Sequence, residues 1–254
     1  MKIQILDHGY IELIELWGSD ERIIEAARMS TNKGFLEWGP IHAQTCPVNP
    51  IHKPNMSACS YDGGKQGDEK LLSYLYKNKH MTPFEMAGMI IEVQAPIFVF
   101  REWHRHRTQS YNELSARYTE LPNLFYVPSI NRLIQSSKLN KNKQESGSNE
   151  LTYVDADVLN KDIIAFHQEA RQHYEKLLEI GIAKEIARLV IPVAQYSRMR
   201  ASANLRNWLQ FLTLRMAPNA QWEIRQYADA VHSILKEKFP RTMQLFDKGS
   251  QNEM

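Results

Sequence analysis

The sequence predicts an α+β fold in which helices dominate around a small mixed or antiparallel sheet, organised as a single domain over residues 1–254. Three observations predict it. Apolar residues recur at helical spacing through several long segments, the strand candidates are short and scattered, and no regular strand–helix–strand alternation of the Rossmann type is present. A chain of 254 residues that is 43% hydrophobic can bury a substantial core.

The elements follow in order. Ile3–Leu6 and Tyr10–Leu16 read as strands around an Asp7-His8-Gly9 turn. Asp20 is placed to cap a helix through Ile23, Ile24, Ala26 and Ala27. Residues 39–67 are rich in Pro, Asn, Ser and Gly and read as a surface insertion; their Gly63-Gly64-Lys65-Gln66-Gly67 lacks the spacing and preceding strand of a dinucleotide loop. A helix restarts over Leu71–Tyr76, a strand over Met89–Val93, and Pro96 suits the first position of the next helix. Ile97, Phe98, Val99, Phe100 and Trp103 would bury that helix, so it presents Arg101, Glu102, Arg105, His106 and Arg107 from a packed base.

Leu124–Pro128 reads as a strand, and Ser, Asn, Lys and Gln between residues 133 and 155 indicate a second insertion. A long amphipathic helix is expected over Ala156–Glu179 with Gly181 as its stop, then a helix over Ala183–Val190. Gln195–Ser202 follows as a strand. Asn204 would cap a helix over Leu205–Met216, and Ala220–Phe239 would form the last helix.

Composition narrows the function. A net charge of +2, from 31 basic and 29 acidic residues, gives no chain-wide reason to expect nucleic acid. Two cysteines, Cys46 and Cys59, form no metal or redox pair, and no apolar run resembles a signal peptide or a membrane span, so a cytoplasmic protein is expected.

The densest chemistry runs from Arg101 to Tyr118, REWHRHRTQSYNELSARY. Planar guanidinium forks suit phosphate, and His, Ser and Asn among them suggest oriented recognition of a small polyanion. The alternative is a solvated basic helix end. A second cluster comprises Ala187-Arg188-Leu189-Val190-Ile191-Pro192, Asn204-Leu205-Arg206-Asn207-Trp208, Phe211 to Arg215, and Ala220 to Ile224. Arg206 and Gln210, four apart, share one helix face, and Arg215 sits at that helix's C-terminal end.

Arg105-His106-Arg107, then seven residues, then Ser115, with Asn112-Glu113, Arg117 and Tyr118, resembles the signature of the flavin-dependent thymidylate synthases. His80-Met81-Thr82-Pro83-Phe84-Glu85, Ala95 to Val99 and the second cluster are similar to further segments of that family in the same order. The resemblance implies reductive methylation of dUMP to dTMP. The carbon donor is 5,10-methylenetetrahydrofolate, and FAD reduced by NADPH is the hydride source, with no cysteine nucleophile. It implies a homotetramer with shared active sites.

Carried over by residue, it assigns dUMP to Glu102, Arg105, Glu113, Ser115, Ala116, Arg117, Arg188 and Arg215, with Arg215 catalytic. It assigns FAD to His80, Thr82, Arg105, His106, Arg107, Glu113, Asn204, Arg206 and Gln210. Met86 stands where the family often has His, and Glu102 where Gln is common. Ser115 has no nucleophile elbow around it and reads as a ligand contact.

Two other classes compete. A metal-dependent hydrolase could use Glu102, His104 and His106 if they lay on a strand, whereas a helix splays them apart. A nucleic-acid module would need a broad basic face, which Glu102, Glu113 and Glu120 interrupt.

Overall fold

A computed structural model describes residues 1–38, 67–137 and 150–252, which divide into two compact units. The first comprises Met1–Leu16, Met89–Ala203 and Asn207–Ile234; the second takes the described parts of Trp17–Gly88, Asn204–Arg206 and Leu235–Met254.

The first unit carries a five-stranded sheet in the order β1-β2-β3-β5-β4, with β1 Lys2–Ile5, β2 Gly9–Trp17, β3 Gly88–Pro96, β4 Ser110–Glu113 and β5 Tyr196–Asn204. The β1–β2 and β4–β5 pairs are antiparallel, in register at Ile5↔Gly9 and at Glu113↔Met199. β3 is central, and its Met89, Ile91, Val93 and Ala95 are fully buried at every second position. β5 buries Met199, Ala201 and Ala203 while Arg198 and Arg200 point outward. The same unit holds α3 Ile97–Trp103, α4 Ile130–Ser137, α5 Tyr153–Glu179 and α6 Lys184–Ala187, with most of α7 Leu205–Arg215 and of α8 Trp222–Lys238. Trp103 lies 4.6 Å from the Phe211 ring and 6.3 Å from that of Tyr227, centroid to centroid, and forms the aromatic centre of the core.

The second unit holds α1 Asp20–Arg28, α2 Asp68–Lys77, and α9 Pro240–Asn252. Ser19, not Asp20, caps α1, its hydroxyl accepting the Arg22 N–H. Asp20 is buried and caps α9 instead: its carboxylate accepts the Arg241 N–H at 2.8 Å, the Thr242 N–H at 3.2 Å and the Thr242 hydroxyl at 2.6 Å. The expected last helix, Ala220–Phe239, therefore has a successor, with Pro240 at its first position.

Other expectations shift for identifiable reasons. Pro96 is the N-cap of α3 rather than its first residue, and α3 ends at Trp103, so Arg105, His106 and Arg107 lie beyond the helix. The stretch 133–155 is helical at both ends. Residues up to Ser137 belong to α4, which packs on α5, and α5 starts at Tyr153 behind a Thr152–Asp155 capping box. Residues 138–149 lie outside the described residues, as do 39–66, which include both cysteines and the Gly63–Gly64 segment; Gly67 caps α2. Leu124–Pro128 contributes only a single bridge, Phe125↔Gln195. The Ala183–Val190 helix divides into α6 and a 3-10 turn over Arg188–Val190, and Gly181 ends α5 with φ +85°, as its position implied.

Gly9 opens β2 under the Tyr227 hydroxyl. A Cβ there would lie 2.0 Å from that oxygen and 2.7 Å from the Ile5 carbonyl. Gly9→Ala is expected to destabilise the protein by roughly 2–4 kcal/mol, read as a fall in thermal midpoint.

Candidate active site

The arginine-rich turn after α3 owes its shape to three buried anchors. Val99, Phe100 and Trp103 sink the helix into the core, leaving Arg101 and Arg105 exposed. Trp103 donates its indole N–H to Gln109 Oε1 at 3.1 Å, closing the turn across six residues. The Tyr111 hydroxyl, from β4, donates to the His106 carbonyl at 2.7 Å, with the Trp103 carbonyl 3.2 Å away. Burial raises the Tyr111 phenol well above its ordinary value, so it stays a donor across the working range. Asn207 Nδ2 adds a bond to the Thr108 carbonyl at 3.3 Å.

Against this turn lies Arg215, the last residue of α7. Its Nε–H donates to His106 Nε2 at 2.8 Å, Nη1 to Glu102 Oε2 at 2.8 Å, and Nη2 to the Glu102 carbonyl at 2.9 Å. Burial, reinforced by the Arg215 charge, pulls His106 from 6.5 down to about 4. His106 is therefore neutral at pH 7. Because Nε2 accepts from a guanidinium that cannot give up its proton, the ring proton sits on Nδ1. Phe211 packs edge-on against the same imidazole, 4.9 Å between centroids.

The structure thus joins Glu102, His106 and Arg215 directly. Arg105, Arg107 and Arg188 are exposed and make no ion pair among the described residues. Ser115 Oγ accepts the Arg117 N–H at 3.3 Å and is hydrogen-bonded to no base among the described residues. Arg117 reaches Glu185 at 3.1 Å, each side chain about half exposed, and Ala116 is buried. Glu113 and Asn112 stand exposed on β4 and line an open cavity of about 310 Å³ with Glu92, Arg198 and Arg200. Gln210 is exposed on α7.

The remaining expected residues belong to the second unit. There Arg206 pairs with Glu85 at 2.5 Å, His80 meets the edge of the Tyr74 ring, Thr82 starts a 3-10 turn and Asn204 ends β5.

Sequence reasoning missed Gln109, Tyr111 and Glu185. Tyr111 and Gln109 are ordinary polar positions until the chain folds back. Gln109 Nε2 is buried without a partner. Among the described residues no three His, Cys, Asp or Glu side chains are grouped as a metal would require.

A partly buried guanidinium is clamped by a carboxylate beside a turn bearing unpaired arginines, groups whose chemistry suits a small anionic ligand. The family described as "Thymidylate synthase complementing protein" matches residues 12–241, and the chain belongs to it. A flavin-dependent thymidylate synthase of Thermus thermophilus is 37% identical over 252 residues, covering 98% of this chain and 79% of that protein. One from Thermotoga neapolitana is 36% identical, covering 98% and 95%. The crystal structure of a UMP/dUMP methylase, PolB from Streptomyces cacaoi, bound with 5-Br dUMP, superimposes with a TM-score of 0.74 at 30% identity, covering 97% of each chain.

The depressed His106 pKa has a signed consequence. Between its ordinary 6.5 and about 4, the unfolded chain takes up a proton that folded His106 refuses. Its contribution is complete above pH 6.5 and is lost as pH falls toward 4. His167, lowered by burial, acts in the same direction. Unfolding curves from pH 7 to 4 should show His106→Gln losing less stability than wild type, by on the order of 2 kcal/mol.

Proposed function

We propose that this enzyme converts dUMP to dTMP, with 5,10-methylenetetrahydrofolate as carbon donor and FAD, reduced by NADPH, as hydride source. The observation that carries the reading is the Arg215 clamp within a chain of this family, whose neighbour PolB binds 5-bromo nucleotides. In this reading Glu102, Arg105, Glu113, Ser115, Ala116, Arg117, Arg188 and Arg215 form the nucleotide site. A guanidinium held in place stabilises negative charge as it develops on the uracil ring without reorganising. An electron-rich ring needs no thiolate to activate it.

The residues present fit a flavin dinucleotide by the chemistry of their donors. Arg105 and Arg107 offer exposed guanidiniums for a pyrophosphate, and Gln109 Nε2 is a buried donor that lacks a partner. By the family resemblance, Arg105, His106, Arg107, Glu113 and Gln210 of the first unit, and His80, Thr82, Asn204 and Arg206 of the second, would each contact the cofactor. Reduced FAD, when bound, supplies the hydride that completes the methyl group. Arg206 would leave Glu85 to reach it, at small cost because that pair is partly exposed.

We infer a homotetramer in the cytoplasm. No helix among the described residues is long and apolar enough to cross a membrane. The support for assembly is apolar surface. Val154, Val158 and Phe166 on α5, with Ile180, Ile186, Leu189 and Val193 after it, are exposed, Leu189 by 75%. A second copy of the chain would cover them. Leu189→Arg should shift the mass measured by light scattering toward smaller species; an unchanged mass would remove this face from the interface.

The central test is anaerobic. Purified protein with FAD, NADPH, methylenetetrahydrofolate and dUMP or UMP is assayed for the methylated nucleotide by mass. Expected are dTMP from dUMP, dependence on FAD after stripping, and activity that survives serine at both Cys46 and Cys59. Arg215→Ala should lower kcat about 10²- to 10³-fold. No methylated nucleotide from folded, FAD-loaded protein would overturn the reading.

A further inference from the structure

Arginine carries five N–H groups. In Arg215 the clamp uses one on each nitrogen: Nε–H on His106, one Nη1–H on the Glu102 carboxylate and one Nη2–H on the Glu102 carbonyl. One N–H on each terminal nitrogen is therefore not used by the clamp, and the Arg215 side chain is 15% exposed.

Glu102 makes two contacts of different kinds. The carbonyl contact comes with the backbone of α3 and would survive any side chain. The carboxylate contact sets charge. A carboxylate 2.8 Å from the guanidinium cancels much of its field at a distance, and at 41% exposure it also faces an arriving anion. Neutral His106 directs Nε without adding charge. Aim and charge are thus controlled separately: the carbonyl and the imidazole fix where Arg215 points, and the Glu102 side chain both holds and discharges it.

We propose that Glu102 is a charge-setting positioning residue of the nucleotide site, aiming Arg215 while weakening the site's grip on the nucleotide's phosphate charge. The inference rests on the nucleotide reading above. Its logic is that a uniform grip on a phosphate deepens substrate binding without helping the chemical step, whereas an aimed arginine acts where charge develops. Glutamine at this position would keep an acceptor for Nη1 and remove the charge; alanine would remove both.

The test is calorimetric, on FAD-loaded protein without folate or NADPH, so that binding is read without turnover. Glu102→Gln should bind dUMP roughly 5- to 20-fold more tightly than wild type at low salt, with the gain shrinking at high salt. Glu102→Ala should bind less tightly than Glu102→Gln, the difference being the lost aim. Deoxyuridine, which lacks the phosphate, should bind wild type and Glu102→Gln with similar affinity. Equal or weaker dUMP binding by Glu102→Gln, or the same gain with deoxyuridine, would overturn the charge-setting role. Wild-type protein that loads FAD yet binds no dUMP would instead remove the nucleotide reading itself, and this inference with it.

Discussion

The burial of Trp103 is the constraint on which the site depends. Its ring has no exposed surface and packs among Phe211 and Tyr227, which fixes the end of α3 relative to α7 and α8. A Trp of this size buries apolar area that outweighs the loss of any single surface contact. Its indole N–H must also be satisfied, and Gln109 satisfies it. Packing and hydrogen bonding therefore place the chain at both ends of the turn between residues 103 and 109. Arg105 and Arg107 are held outward by a base that cannot shift without opening the core.

The same packing brings Arg215 to Glu102 and His106. Phe211 is one helical turn before Arg215 on α7, so the residue that packs against Trp103 and His106 also delivers the guanidinium. A mostly buried guanidinium is tolerable only where its hydrogens find acceptors. Two come from Glu102 and one from an imidazole that burial keeps neutral. Core and chemistry thus share residues, and neither could be rebuilt alone.

Much of this was legible in the residue pattern, for reasons that differ by element. The mostly apolar segment Met89–Val93 announced β3, and the apolar run after Pro96 announced α3. Gly181 marked the end of α5 because the left-handed turn there favours glycine. β4 was not legible: Ser-Tyr-Asn-Glu has no alternating apolar face, and the strand exists because its backbone pairs with β5. Asp20 looked like a local cap because Asp favours that position in any sequence. Its actual partners, Arg241 and Thr242, lie 221 and 222 residues away, a separation no local rule reaches. The arginines themselves were visible as a cluster, but the Glu102–Arg215 pair spans 113 residues and became visible only through α7.

β4 has a further implication for how copies of this chain can meet. A sheet edge with unpaired backbone groups is an invitation to another strand, and through it to unlimited stacking. Here the edge strand is four residues long and bears Ser110, Asn112 and Glu113 in the open, a charge among them. Continuing the sheet into a neighbour would bury that carboxylate and gain few ladder bonds. Sheet extension through this edge is thereby disfavoured, and with it one route to the open-ended growth that leads to fibres.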